Sequence, residues 1–211
     1  MLVVHHLGIS QSDRIVWLCE ELGITYELKR YTRDAKTRLA PPEYRALTPF
    51  GTAPVISDGD LVLGESGAII EYLVETYGAG RLMLRLGDPG YSDFLFWFHF
   101  GNGSLMPAAM FDSLARRLAG SEGISSAMRA RFDRAYDMIE QRLGAAPYLA
   151  GEAFTAADMI NLFPLTTMRH FAPRDISPYP NILAYLQRIA ARPAFQRAMK
   201  KADPDFMVPL T

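Results

Sequence analysis

Strand and helix signals alternate through residues 1–79 and no convincing strand pattern follows, an order that few folds accommodate. Residues 2–5 form a short apolar run of β type. In residues 12–22, Ile15, Leu18, Cys19 and Leu22 recur at the spacing of an amphipathic helix, and Gly23 stops it. Residues 24–30 predict a second strand. After a polar stretch, Pro42 suits the first turn of a short helix over 42–47. Residues 54–57 and 61–63 predict two strands joined at Asp58-Gly59-Asp60, a hairpin signal. Ser66 opens a helix with apolar positions Ile69, Ile70, Leu73, Val74 and Tyr77, and Gly78 ends it.

The order is β-α-β, a short helix, then β-β-α. The first half needs a crossover between parallel strands, and the second is a hairpin with a helix. This is the element order of a thioredoxin-like sheet. Gly78, Gly80, Gly87, Pro89 and Gly90 mark residues 80–90 as a linker. Beyond it every periodic segment is helical. Residues 91–110 predict a helix kinked near Pro107. Met128, Phe132, Ala135, Ile139 and Leu143 mark a long helix, and residues 155–168, 180–189 and 193–200 predict three more. The expected organisation is an α/β thioredoxin-like domain over 1–79, the linker, and an all-α helical domain over 91–211.

Composition narrows the function. The chain of 211 residues is 49% hydrophobic and 21% charged, which supports a normal core. Its net charge of -1 gives no electrostatic footprint for nucleic acid. The four histidines lack metal-ligand spacing, so no metal is expected. No apolar run approaches a membrane span, and the start MLVVHH lacks the basic region of a signal peptide. The one cysteine, Cys19, forms no disulfide within the chain. It lies on the apolar face of the first helix, as a buried inert thiol would. A cytoplasmic protein is the expectation.

Four local features bear on chemistry. Ser10 stands between the first strand and first helix. There a hydroxyl and a helix N-terminus can together favour a thiolate over a thiol. Ser10-x-x-Asp13 also fits a helix cap, and Ser12 competes for either role. Thr52-Ala53-Pro54-Val55 precedes the third strand. A cis Pro54 would leave the Ala53 backbone able to pair with an extended peptide, whereas an ordinary trans proline at a strand edge would not. Glu65-Ser66-Gly67 opens the next helix. Ser66 and the local N–H groups suit a carboxylate, and Glu65 suits an adjacent ammonium, although Ser66 as a simple cap serves the sequence equally. Phe154-Thr155-Ala156-Ala157-Asp158-Met159 is a capping box with a hydrophobic staple, which makes Asp158 structural. The aromatic run Phe94, Phe96, Trp97, Phe98 and Phe100 covers every side of its helix, so most of it is expected in the core and one side is open to line an apolar substrate pocket or a subunit interface.

In this order and spacing the features resemble the soluble glutathione S-transferases, in particular bacterial and fungal serine-type members. The resemblance spans nearly the whole chain. It is carried by residues 6–14, by Trp17-Leu18-Cys19-Glu20-Glu21-Leu22-Gly23, and by Pro49-Phe50-Gly51-Thr52-Ala53-Pro54-Val55. It extends through Glu65-Ser66-Gly67-Ala68-Ile69-Ile70-Glu71-Tyr72-Leu73, Gly103-Ser104-Leu105-Met106-Pro107 and the box at 154–158. The resemblance implies glutathione as co-substrate, with Ser10 (or Ser12) at its sulfur. Ala53, before cis-Pro54, would pair with its cysteinyl backbone, and Glu65 and Ser66 would hold its γ-glutamyl end. It implies conjugation to a small hydrophobic electrophile bound near the 91–110 helix, and a homodimer. Many members carry Lys or Arg where Thr52 stands, so Arg33, Lys36 or Arg38 would meet the other glutathione carboxylate. No cysteine stands near Ile9 or Ser10, which argues against thiol-disulfide members. Peroxide reduction, dehalogenation or isomerisation at the same thiolate, and a non-enzymatic binding protein on this fold, are the alternatives.

Overall fold

A computed structural model describes residues 1–117 and 122–211, the side chains of 115–117 and 122–125 excepted. Packing divides it into two compact units, one of Met1–Arg81 with Ala191–Val208 and one of Leu82–Ala190 with Pro209–Thr211.

The first unit holds one four-stranded sheet of order β2-β1-β3-β4. Its strands are β1 (Leu2–Leu7), β2 (Glu27–Tyr31), β3 (Val55–Asp58) and β4 (Leu61–Gly64). β1 and β2 are parallel, joined by the crossover helix α1 (Asp13–Leu22), while β3 is antiparallel to both β1 and β4. This is the mixed sheet that the element order predicts. Gly23 ends α1 in the left-handed conformation, with φ 67°. The short α2 (Pro42–Arg45) starts on its proline, and α3 (Ser66–Tyr77) buries Ile69, Ile70, Leu73 and Val74. Tyr77, placed by periodicity on that apolar face, is exposed instead, and its hydroxyl donates to Asp58.

Alternation along β1 sends its two histidines to opposite faces. The His5 ring bonds the Tyr31 hydroxyl (3.0 Å) and Ser57 Oγ (2.9 Å). His6 meets Ser12 and Asp203 on the other face.

The second unit is helical: α4 (Tyr91–Phe100), a π-helical turn (Gly101–Leu105), α5 (Met106–Arg117), α6 (Glu122–Ala145), α7 (Ala156–Leu165), α8 (Met168–Phe171) and α9 (Pro180–Ala190). The irregularity expected near Pro107 is this π turn just before it, where Met106 N–H reaches Gly101 O. Proline has no N–H for a regular bond, and the wider turn absorbs the mismatch. A Cβ on Gly101 would lie 2.9 Å from Ile160 Cγ2, so glycine lets α7 approach. On α4, Phe94, Trp97 and Phe98 are buried while Phe96 is half-exposed.

The last helix, α10 (Pro193–Ala202), groups with the first unit, whereas the sequence expectation ran the helical domain on to residue 211. Its buried face of Ala194, Phe195, Ala198 and Ala202 packs on α1, with Phe195 edge-on to Trp17 at 5.1 Å. Arg192 grips Glu21 with two bonds of 2.7 and 2.8 Å, and Lys201 and Arg197 hold Glu20. Partners on both sides explain why α1 buries residues all round.

Candidate active site

Strand register brings the sequence-predicted residues together at one end of the sheet. Val55 pairs with His5 on one side and with Gly64 on the other. The end of β1 leading to Ser10, the start of β3 after Ala53-Pro54, and the end of β4 before Glu65-Ser66 are therefore neighbours. Ala53 packs on the buried cluster of Leu7, Tyr31, Ala40, Tyr44 and Val55, which anchors its backbone. Thr52 beside it is exposed.

At each segment the local geometry bears on a structural alternative the sequence leaves open, the proline isomer or the helix cap. The Ala53–Pro54 bond is cis. Glu65, not Ser66, occupies the N-cap position of α3 and makes no side-chain cap bond. Ser66 lies one residue inside the helix and is buried. Glu65 is exposed and has φ 69° and ψ 123°, a conformation that costs a residue with a Cβ about 1–3 kcal/mol. Ser10 is not the cap of α1 either. Ser12 holds that position without a side-chain cap bond, so the Ser10-x-x-Asp13 box is not formed.

Both serines are buried and bonded to each other, Oγ to Oγ at 2.8 Å. The Ser12 N–H also donates to Ser10 Oγ at 3.3 Å. Ser12 Oγ accepts the Leu7 N–H at 3.1 Å and lies 2.9 Å from His6 Nδ1. The other ring nitrogen, Nε2, is 3.0 Å from Asp203 Oδ2. Asp203 also accepts the Ile9 N–H through both carboxylate oxygens, at 3.2 and 3.1 Å. Ile9 has φ 49°, an outlier for a β-branched residue. Arg33 donates through Nε to Gly8 O at 3.1 Å. The loop carrying Ser10 is thus clamped from two sides.

Sequence reasoning missed His6 and Asp203, and it considered Arg33 only for a glutathione carboxylate, not for the Gly8 carbonyl to which it donates. The His5-His6 pair was visible, but only strand alternation separates its roles. Asp203 lies too far along the chain for any local pattern to connect it with Ser10.

A cavity of about 480 Å³ adjoins the clamp, lined among others by Ile9, Arg33, Arg38, Asp203 and Phe206. Arg33 and Arg38 line it; Lys36, the third basic candidate, does not. Arg33 is half-buried and also donates to Arg38 O at 3.1 Å. Cys19 is fully buried on α1, and burial pushes its thiol up to about 12, which leaves it unreactive. Among the described residues no group of three or more His, Cys, Asp or Glu could hold a metal ion, and no helix is long and apolar enough to cross a membrane.

Comparison with known proteins bears on the family and the fold. Residues 10–76 match the family model for the glutathione S-transferase N-terminal domain, and residues 112–188 match that for the C-terminal domain. Glutathione S-transferase 3 of Schizosaccharomyces pombe is 34% identical over 96% of this chain and 88% of its own. The chain belongs to the glutathione S-transferase family. Glutathione S-transferase 1 of Saccharomyces cerevisiae is 28% identical, over 96% of this chain and 95% of its own. The crystal structure of a glutathione S-transferase from Actinobacillus pleuropneumoniae superposes with a TM-score of 0.89 at 32% identity, covering 98% of this chain and 97% of that one. The protein is therefore a glutathione transferase, with a thioredoxin-like sheet and a helical bundle, and glutathione is its co-substrate.

Proposed function

We propose that this transferase binds glutathione across the converging ends of β1, β3 and β4, ionises its thiol at Ser10, and conjugates the thiolate to a small hydrophobic electrophile. The observation that carries the reading is the register: Val55 between His5 and Gly64 sets Ser10, Ala53 and the Glu65-Ser66 pair around one end of the sheet.

Each group then has a defined task. The Ser10 hydroxyl donates to the sulfur, and the N-terminus of α1 adds partial positive charge. Ala53 pairs strand-like with the cysteinyl backbone. Ser66 and the first N–H groups of α3 receive the γ-glutamyl carboxylate, and Glu65 receives its ammonium. The strained backbone at Glu65 is consistent with a side chain held for binding rather than for folding. Thr52 offers no cation to the glycyl carboxylate. Arg38 supplies it on this reading, because its neighbour Arg33 is already committed to Gly8 O and Arg38 O. In the chemical step the thiolate forms a sulfur–carbon bond while the electrophile's leaving group departs with its electron pair. The enzyme works in the cytoplasm as a homodimer on this reading. Phe50, 80% exposed between α2 and β3, is an apolar contact for a second copy.

Kinetics with an activated chloronitrobenzene test the assignment. A hydrogen bond to a charged group is worth about 1.5–3 kcal/mol. Ser10→Ala is therefore expected to lower kcat by about 10- to 100-fold while the KM for glutathione changes little. A larger loss of kcat in Ser12→Ala than in Ser10→Ala would move the sulfur partner to Ser12.

A further inference from the structure

Ser10 is the end of a hydrogen-bonded chain that starts at the part-buried Asp203 and runs through the buried His6 and Ser12. The links are Asp203 Oδ2 to His6 Nε2 (3.0 Å), His6 Nδ1 to Ser12 Oγ (2.9 Å), and Ser12 Oγ to Ser10 Oγ (2.8 Å). We propose that Asp203, His6 and Ser12 are positioning residues that set the direction of the Ser10 hydroxyl proton, and that Ser10 donates outward only when the His6 ring carries two protons. The proposal rests on the assignment of Ser10 to the glutathione sulfur.

The proton count leads there. A carboxylate only accepts, so the ring nitrogen facing Asp203 carries hydrogen in either ring state. Ser12 Oγ has one proton to give and two lone pairs, and one lone pair already takes the Leu7 N–H at 3.1 Å. When the ring is neutral, Nδ1 is a bare acceptor and Ser12 must donate to it. The short link to Ser10 then needs the Ser10 proton, which turns inward and away from any sulfur. When the ring is charged, Nδ1–H donates to Ser12. The Ser12 proton is released toward Ser10 Oγ, and the Ser10 proton is free to point at the thiolate. Ser12 Oγ also reaches Leu7 O at 3.4 Å, a longer contact than its links of 2.9 Å to His6 and 2.8 Å to Ser10, so the ring state selects between the two arrangements of the shorter links. The step balances as one proton exchanged between Nδ1 and solvent, which forms or breaks the Nδ1–H bond, while two hydroxyls rotate.

His6, Ser12 and Ser10 are buried, so water does not compete for the links among them, whereas Asp203 is partly exposed where it lines the cavity. The charged groups around the ring are Asp13 and Arg14 on α1, Asp203 and Asp205 after α10, and Arg30, Arg33 and Arg38 along β2 and the loop that follows. Asp203 is in contact with the ring as an ion pair. It also ties down Ile9, so the residue that fixes the ring fixes the loop bearing Ser10.

The test combines kcat/KM against pH with a nitrogen-15 NMR titration of the His6 ring, in the parent and in Asp203→Asn, which retains an oxygen to accept from Ile9. The parent is expected to lose activity at high pH along a descending limb that coincides with loss of the His6 ring proton. The neutral ring is expected to carry hydrogen on Nε2. Asp203→Asn is expected to move the limb and the ring titration together, and Ser12→Ala, which cuts the chain, to remove the limb. A neutral ring protonated on Nδ1, or a ring titration that moves in Asp203→Asn while the limb stays, would overturn the relay. If Ser10→Ala is impaired but Ser12→Ala keeps the limb, the relay alone fails. If Ser10→Ala turns over like the parent, the sulfur assignment has failed and the relay with it.

Discussion

Glu65 and Ile9 both sit at positive φ, where a Cβ is crowded by its own backbone; Ile9 precedes Ser10, and Glu65, proposed to bind glutathione itself, precedes Ser66. Neither conformation is demanded by a turn that glycine could not make more cheaply. At Ile9 the compensation is visible: two carboxylate oxygens of Asp203 accept its N–H. At Glu65 no side-chain cap bond offsets the cost, which is why ligand binding is the role assigned to it. Ser66 follows directly, buried in the first turn of α3 rather than capping it. Ser66→Ala is expected to weaken glutathione binding about tenfold or more by calorimetry, since a hydrogen bond to a charged group is lost, with little effect on stability. An unchanged affinity would remove Ser66 from the γ-glutamyl site. The candidates Ser10, Ala53, Glu65 and Ser66 were legible in the sequence because each sits where a strand gives way to a helix or a strand begins. The choice between their binding and structural roles was not legible. It depends on which atoms meet across the sheet, and the Asp203–His6–Ser12 chain joins residues from opposite ends of the sequence.

Helix starts and stops were legible where the signal is local chemistry. Thr155 and Asp158 form both halves of the expected capping box. Asp158 accepts the Thr155 N–H and also the Leu149 N–H, each at 2.9 Å, so one carboxyl fixes the start of α7 and the loop before it. Asp158→Ala orphans two buried donors. It is expected to cost about 2–4 kcal/mol in urea unfolding, with a loss below about 0.5 kcal/mol contradicting the role. Burial pushes the Asp158 carboxyl up to about 6 despite these donors. A raised carboxyl contributes stability that is full below about pH 4 and is lost as pH rises through about 6. The parent is therefore expected to lose more stability over that interval than Asp158→Asn does. The π turn and the docking of α10 were less legible. The first depends on how proline's missing N–H is absorbed, and the second on Phe195 finding Trp17 far back in the chain.

At the scale of the whole molecule, element order sufficed for the fold: a crossover followed by a hairpin leaves few sheets other than β2-β1-β3-β4. The boundary between units was harder to read. Residues 191–208 return to the first unit because Arg192, Phe195, Arg197 and Lys201 meet Trp17, Glu20 and Glu21 there. That return also delivers Asp203 to the Ser10 loop, so the last helix of the chain contributes to the order of the proposed sulfur site. The central claim is that Ser10 favours the ionisation of bound glutathione, and titrating the thiolate absorbance of glutathione bound to the parent and to Ser10→Ala tests it most directly. The account expects the bound thiol in the parent to ionise at least about one pH unit below the free value of about 8.5, and to return toward that value in Ser10→Ala; a bound thiol that ionises at the same pH in both proteins would contradict it.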